Sequence, residues 1–175
     1  MVSIHVITVS DRVSRGEAED TSGPLALDML SFAKEHFSGQ PIDIDGPIVV
    51  PDDQDAIRRA IAAAIEDGAD VVFTTGGTGV GPRDVTPEAT RPLLDLEIPG
   101  IADAMRRAGA ASVPASVFSR GLVGIVRARV DFEGDRTGPS VIVNMPGSPG
   151  GVKDALTVVL PLLPHLLDQI GGGDH

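Results

Sequence analysis

The chain has 175 residues, of which 42% are apolar, so we expect one domain with a substantial core. A total of 14 Lys and Arg against 25 Asp and Glu gives a net charge of −11, which argues against a nucleic-acid or anionic-membrane surface. The absence of cysteine excludes disulfides, thiolate nucleophiles and cysteine-ligated metals.

Neither a metal site built on histidine nor a membrane anchor is expected. The apolar stretch 158–167 is interrupted by Pro161 and Pro164 and is far shorter than the ~20 residues of a membrane span. The N-terminus enters a predicted strand without the features of a signal peptide, so we expect a cytoplasmic protein. The four histidines show no ligand spacing: His5, His36, His165 and His175.

Predicted strands alternate with predicted helices along the chain. This order predicts a three-layer α/β/α sandwich with a mostly parallel central sheet, forming a single domain over residues 1–170, and a disordered tail over 171–175. We expect N-caps at Ser22, Asp52 and Thr86. The predicted strands cover residues 4–9, 42–50, 71–74, 121–130 and 140–145.

The most informative stretch is residues 73–90, which contains the loop TTGGTGVGPRD between a strand and a helix. Its glycines and the helix that follows favour an anion such as phosphate. It is neither a Walker A loop nor a dinucleotide fingerprint, because Pro82 and Arg83 stand where those motifs need other residues. Arg83 can bind phosphate oxygens and Asp84 a divalent cation, so the loop indicates a magnesium-nucleotide, although the glycines alone fit an ordinary turn equally well.

Three long motifs in one order resemble the Mog/MoaB molybdenum-cofactor biosynthesis family, which is related to the G domain of gephyrin. The first covers residues 9–16 and continues through Asp20 to Gly23, and the second is the 74–90 segment. The third is Asn144 to Pro149, and the short 119–121 segment (SRG) also matches. The resemblance covers nearly the whole chain and implies the molybdopterin-binding-like fold.

The resemblance also implies an activity: adenylylation of molybdopterin by Mg-ATP, with release of pyrophosphate, before molybdate insertion. It assigns Asp52 and Asp84 as catalytic residues and Mg²⁺ ligands. It further implies a homotrimer or a hexamer, and a molybdenum-insertion protein as a partner. The substrate- and nucleotide-binding candidates are Ser10, Asp11, Thr75, Gly76, Gly77, Thr78, Gly79, Arg83, Ser119, Arg120, Asn144, Pro146, Gly147 and Ser148.

Which cation contacts the phosphates is open at this stage. We favour Arg83 or Arg120, but five cations lie in or beside the motif loops: Arg12, Arg15, Arg83, Arg120 and Lys153.

Two rival interpretations remain. One is a family member that binds or scaffolds molybdopterin without reacting, and the other is a competence-damage-type nucleotide hydrolase, which residues 10–12 disfavour. The polar segment 131–139, a predicted hairpin loop, is longer than we expect for the family and is interpreted as a surface insertion.

Overall fold

A computed structural model describes residues 1–37, 39–127, 129–130 and 136–173. Its sheets are formed by eight strands within these ranges. They are β1 (Val2–Val9), β2 (Ile42–Val50), β3 (Val71–Thr75), β4 (Leu96–Glu97), β5 (Val123–Val126), β6 (Arg129–Val130), β7 (Arg136–Thr137) and β8 (Ser140–Met145).

Seven α-helices connect these strands within the described residues. They are α1 (Asp11–Ser14), α2 (Ser22–Ser31), α3 (Gln54–Glu66), α4 (Thr86–Thr90), α5 (Pro99–Ser112), α6 (Pro149–Val159) and α7 (Leu163–Ile170). A 3₁₀ helix over Pro114–Phe118 follows α5.

The main sheet has six strands in the order β2-β1-β3-β8-β5-β4. The first four are parallel, while β5 runs antiparallel to both β8 and β4. The central strands β3 and β8 are buried along their whole length, which is why they are near-continuous apolar runs rather than alternating ones. The predicted mostly parallel sheet is therefore confirmed.

Helices cover both faces of this sheet. Leu30 of α2, Met105 of α5 and Leu156 of α6 belong to the apolar cluster on one face. Ile57 and Ile61 of α3 belong to the cluster on the other face. The arrangement confirms the three-layer α/β/α sandwich.

Several predicted boundaries were wrong. The strand expected over 121–130 is divided into β5 and β6. After β8 the chain forms two helices, α6 and α7, with a bend of 58° between them. Phe32 is 77% exposed, because α2 ends at Ser31. The two-residue strand β4 was missed, since both its residues are exposed and show no periodicity.

Two further expectations fall partly on residues outside the described ranges. Residues 131–135 of the predicted hairpin loop are among these, although β6 and β7 on either side pair antiparallel. Residues 174–175 of the predicted tail also lie outside, and the single-domain prediction stays a prediction. Within the described residues no single helix is long and apolar enough to cross a membrane; only the bent pair α6 and α7 passes jointly, by length and composition.

Candidate active site

The site candidates lie where four adjacent parallel strands end. Residues 10–11 follow β1, Pro51 and Asp52 follow β2, the glycine loop follows β3, and residues 146–148 follow β8. Carboxyl ends of parallel strands share one edge of a sheet, and ligands of open α/β sheets bind at this edge.

Asp53, not Asp52, caps α3. The Asp53 carboxylate accepts a hydrogen bond from the Ala56 amide at 2.8 Å, and its extended backbone is typical of an N-cap. The predicted cap was therefore wrong by one residue. This shift leaves the Asp52 carboxylate available, and its Oδ2 accepts from the Asp11 amide at 2.7 Å.

Partial burial raises the pKa of Asp52 above its ordinary value, and the nearby carboxylates of Asp11 and Asp84 raise it further. The Asp11 hydrogen bond and the Arg83 charge act in the opposite direction. A divalent cation beside Asp52 would relieve this repulsion.

Asp11 forms an ion pair with Arg83. The guanidinium donates from Nε to Oδ2 and from Nη2 to Oδ1, each at 3.0 Å, in a bidentate arrangement. Partial desolvation raises the pKa of Asp11, but hydrogen bonds from Arg83 and the Asp52 amide lower it overall. Arg83 is therefore engaged by a carboxylate, although 66% of its side chain is exposed.

The glycine loop is packed against the ends of its neighbouring strands. Gly76 has φ 106°, and a Cβ there would collide with the Val9 carbonyl oxygen. A Cβ on Gly147 would lie 3.0 Å from the Gly76 Cα. Glycine at positions 76 and 147 therefore lets the glycine loop lie close to the end of β1 and to the 146–148 loop.

Thr86 does not cap α4, contrary to prediction. Its hydroxyl donates to the Gly76 carbonyl at 2.9 Å, and its amide donates to the Gly77 carbonyl at 3.0 Å. Thr86 thus fastens the loop to the helix, and the N-cap residue Val85 makes no side-chain hydrogen bond.

The Asp84 carboxylate folds back over the loop. Its Oδ2 accepts from the Gly81 amide at 2.8 Å, and the Asp84 amide donates to the Gly81 carbonyl at 3.0 Å. A Cβ on Gly79 would lie 2.9 Å from the same Oδ2. Asp84 is consequently held in a tight turn that presents its carboxylate to the glycine loop.

Arg120 also contacts this loop, through carbonyl groups. Its Nε donates to Gly79 O and its Nη2 to Asp84 O, both at 2.7 Å, and Nη1 pairs with the Glu88 carboxylate. Neighbouring Ser119 lies 3.5 Å from Thr78 through their hydroxyls. Glu88 was missed by sequence reasoning, because its partner lies 32 residues away.

Other candidates make hydrogen bonds within the protein. Ser10 caps α1 and Ser148 caps α6, while the Thr75 hydroxyl donates to Pro146 O at 2.8 Å. Asn144 is fully buried, and its amide donates to the hydroxyls of Thr74 and Thr90. These hydrogen bonds satisfy the buried amide within the protein, and the contact of Asn144 with substrate stays a prediction.

Asp20 takes over the capping role expected of Ser22. Its Oδ1 accepts from the amides of Ser22 and Gly23, and its Oδ2 accepts from the Thr8 hydroxyl at 2.7 Å. An Asp two residues before a helix start is the sequence signal for such a turn.

Two cavities meet at this edge of the sheet. The smaller, of 340 Å³, includes Asp20, Asp52 and Arg12 in its lining. The larger, of 650 Å³, includes Ser119, Ser148, Phe118, Lys153 and Asp154. Gly77, Asp84 and Gly147 line both, so Asp84 stands at the boundary between two compartments.

The cations of the cavity walls differ from those we favoured on sequence. Arg12 lines the smaller cavity and Lys153 the larger, whereas Arg83 and Arg120 are among the lining residues of neither. In the sequence, Arg12 and Lys153 are two of five loop cations that local patterns do not distinguish.

The two carboxylates fit a magnesium ion that is shared with a substrate. In the part of the chain that the structure describes, no group of three or more His, Cys, Asp or Glu side chains could hold a metal. Each of Asp52 and Asp84 uses only Oδ2 in the hydrogen bonds described, which leaves Oδ1 for a cation. Mg²⁺ is commonly held by one or two carboxylates together with water and phosphate oxygens, not by a protein cage.

The family profile described as "Probable molybdopterin binding domain" matches residues 5–165. The chain belongs to this family. A molybdopterin adenylyltransferase of Pyrococcus furiosus is 37% identical over 93% of this chain and 87% of its own length. The resemblance expected from the three motifs is therefore confirmed.

One solved structure and one further relative are also similar to this chain. A molybdopterin biosynthesis protein from Mycobacterium abscessus superposes with a TM-score of 0.81 at 39% identity, covering 97% of this chain and 96% of that one. A bifunctional molybdenum cofactor biosynthesis protein of Synechococcus elongatus is 39% identical over 97% of this chain, which spans only 48% of that relative.

Proposed function

We propose that the protein transfers the adenylyl group of ATP to the terminal phosphate of molybdopterin. A phosphate oxygen of molybdopterin attacks the α-phosphorus of ATP, the bond to the β-phosphate oxygen breaks, and pyrophosphate leaves. The product is adenylylated molybdopterin, the substrate for molybdate insertion. Similarity to adenylyltransferases over most of the chain supports this assignment.

The observation that carries the proposal is the pair of cavities joined at Asp84. A transfer between two large substrates needs two compartments whose contents meet at one point. The cavities of 340 and 650 Å³ share the wall formed by Gly77, Asp84 and Gly147. The reacting phosphates would meet beside these residues.

The chain's own contribution is positioning and charge. The nucleophile belongs to the substrate, so the reaction needs no protein nucleophile, which suits a chain without cysteine. Arg12 in one cavity and Lys153 in the other offer positive charge to phosphate groups within a strongly acidic protein. Loop amides such as that of Gly77 are further candidates for phosphate contacts.

Asp52 and Asp84 are the proposed magnesium ligands and catalytic residues. When bound, the ion would neutralise charge on the phosphates of ATP. Asp11 orients Asp52 through its backbone amide, and Arg83 neutralises Asp11. This arrangement keeps the charge of Asp11 from competing for the ion.

The decisive experiment mixes the purified protein with molybdopterin, ATP and magnesium, and measures pyrophosphate release and product mass. We expect a product with the mass of adenylylated molybdopterin. Asp84→Asn should reduce its formation about 100-fold or more, because charge stabilisation at the reacting phosphates is lost. Asp67→Asn, at the exposed C-cap of α3, is a matched control and should be fully active.

A non-catalytic molybdopterin-binding protein is the second candidate. It is favoured by the same similarity to a molybdopterin-binding domain, which by itself requires only binding. Tight pterin binding without pyrophosphate release in the wild-type protein would establish this candidate and overturn the enzyme.

We further propose a cytoplasmic homotrimer, or a dimer of trimers, that delivers its product to a molybdenum-insertion protein. Exposed apolar side chains such as Val117 and Phe118 supply surface for association. Sedimentation at micromolar concentration should give the mass of three or six chains, and a monomer throughout would contradict the assembly.

A further inference from the structure

Arg120, which pairs with Glu88, connects the two ends of the loop segment 79–84. The Arg120 guanidinium donates to the carbonyls of Gly79 and Asp84, each at 2.7 Å. These two residues are the ends of the loop segment 79–84, whose tip includes the exposed side chain of Val80. One planar group therefore bridges the two ends of the segment that carries Asp84.

The contacts to Arg120 leave little of its guanidinium for a ligand. Nη1 pairs with Glu88 Oε1, and Nη2 also lies 3.4 Å from Glu88 Oε2. Together with the two carbonyl bonds, four of the five donors of an arginine side chain are occupied. Arg120 also lines neither cavity, so it contacts the loop from outside the two proposed substrate compartments.

Glu88 is the carboxylate partner of Arg120. It lies in α4, immediately after the loop, and the hydrogen bond from Arg120 lowers its pKa, so it remains ionised at neutral pH. The side chains of Arg120 and Glu88 are 37% and 39% exposed, so their charge attraction alone contributes little. The pair instead fixes the direction in which Arg120 points its N–H donors. A guanidinium offers several donors in a fixed plane, and an ammonium does not.

We propose that Arg120, held by Glu88, is a positioning residue that fixes the 79–84 loop and thereby the Asp84 carboxylate. The role of Asp84 in catalysis rests on the proposed function. The contacts of Arg120 with Glu88 and with the two ends of the 79–84 loop, which we call the clamp, are a property of the free protein. The clamp makes Asp84 ready to bind its ligand before the ligand arrives, which is how a supporting residue improves a site without touching substrate.

The test measures hydrogen exchange of the Gly81 amide, which donates to Asp84 Oδ2 in the closed loop. It uses the protein without ligands, so its result does not depend on any activity. Arg120→Lys should accelerate this exchange about tenfold, since a lysine cannot keep both carbonyl bonds and the ion pair. Glu88→Gln should accelerate it about threefold, because the amide retains one acceptor.

The double variant should match Arg120→Lys alone, because Glu88 acts only through Arg120. Arg91→Lys is the matched control, since Arg91 forms an exposed ion pair with Glu97 outside the loop. It should leave exchange at Gly81 unchanged. Unchanged exchange in Arg120→Lys, or additive effects in the double variant, would overturn the clamp.

Steady-state kinetics then separates positioning from direct phosphate contact. The clamp predicts a fall in kcat in both single variants while the KM for ATP stays within about twofold. A direct contact predicts a raised KM for ATP in Arg120→Lys with Glu88→Gln near wild type, and that result would also overturn the proposal. If the wild-type protein shows no turnover, the proposed function fails while the exchange result still decides the clamp.

Discussion

The backbone amides of Asp11 and Asp52, 41 residues apart, each donate to the carboxylate of the other residue, at 2.7 and 3.1 Å. This reciprocal pair joins the ends of the adjacent strands β1 and β2. It fixes the Asp52 side chain in the smaller cavity without using a metal or a cap. The geometry of the candidate site therefore depends on a contact between the start of α1 and the loop after β2.

The first prediction concerns the side chain of Asp11. Asp11→Asn keeps an oxygen that can accept from the Asp52 amide, whereas Asp11→Ala removes it. We expect the urea midpoint to fall in the alanine variant and to stay near wild type in the asparagine variant, because the Arg83 side of the lost ion pair is 66% exposed.

Arg83→Gln serves as the control for Asp11, because it removes the ion pair and leaves the backbone bond intact. It should resemble Asp11→Asn. Equal destabilisation in all three variants would show that charge, and not the hydrogen bond to the Asp52 amide, stabilises this junction.

The second prediction concerns the pH dependence of stability. The pKa of Asp52 is raised in the folded protein, so the folded state binds its proton more tightly than the unfolded state. The resulting loss of folding stability is fully present above the folded pKa of Asp52, and it disappears below the ordinary carboxylate pKa of about 3.9. Asp52→Asn should therefore unfold at higher urea than wild type at pH 7.

After allowance for solvent screening, the gain for Asp52→Asn should be under ~1 kcal/mol at pH 7. This gain in stability should vanish as the pH falls through the folded pKa of Asp52. The Asp52→Asn variant should also be inactive, because Asp52 is a proposed magnesium ligand. Asp53→Asn provides the adjacent control, because asparagine caps helices about as well as aspartate. An asparagine at position 52 that destabilises the protein at pH 7 would contradict the inferred repulsion.

The third prediction concerns the close approach of Gly76 to Val9. Gly76→Ala places a Cβ against the Val9 carbonyl at φ 106°. We expect a loss of about 3 kcal/mol, or roughly 6 to 12 °C in Tm by calorimetry. Gly100→Ala, in the first turn of α5 with open space around it, should instead be neutral or slightly stabilising. Similar Tm values for both variants would contradict the packing.

The fourth prediction uses the two cavity cations to assign the substrates. Arg12→Gln should raise the KM for one substrate about tenfold and Lys153→Gln the KM for the other, because each loses a charge-assisted contact to phosphate. Both side chains are exposed, so stability should be unaffected. Steady-state kinetics with ATP and molybdopterin varied in turn would measure this.

Arg59→Gln, on the exposed surface of α3, is the control for removing one positive charge. Its KM values should equal those of wild type. If both cavity variants raise the KM for the same substrate, the two cavities do not separate the substrates.

Sequence patterns were sufficient for the parallel strands of the sheet and for the glycine loop. Apolar runs over β1, β3 and β8 located the buried strands, because a strand covered on both faces needs apolar residues throughout. The glycine and proline residues of the 76–82 segment placed the loop at a strand end. The parallel order then put four motifs at one edge.

The caps show where local patterns failed. Asp52 and Asp53 are chemically equal candidates for the start of α3, and only the contact of Asp52 with Asp11 distinguishes them. Thr86 occupies a position typical of an N-cap, but its hydroxyl donates to the carbonyl of Gly76. A local sequence pattern cannot predict this contact, because the two residues are ten positions apart.

The sequence by itself determined the fold class, the family and the segments that form the candidate site. Tertiary structure alone decided which side chains face the cavities, and the arginines show this most clearly: Arg83 binds Asp11, 72 residues away, and Arg120 binds Glu88, 32 residues away. The reason is physical, because periodicity and turn chemistry act over a few residues, whereas the direction of a long charged side chain depends on partners that only folding brings within hydrogen-bond distance.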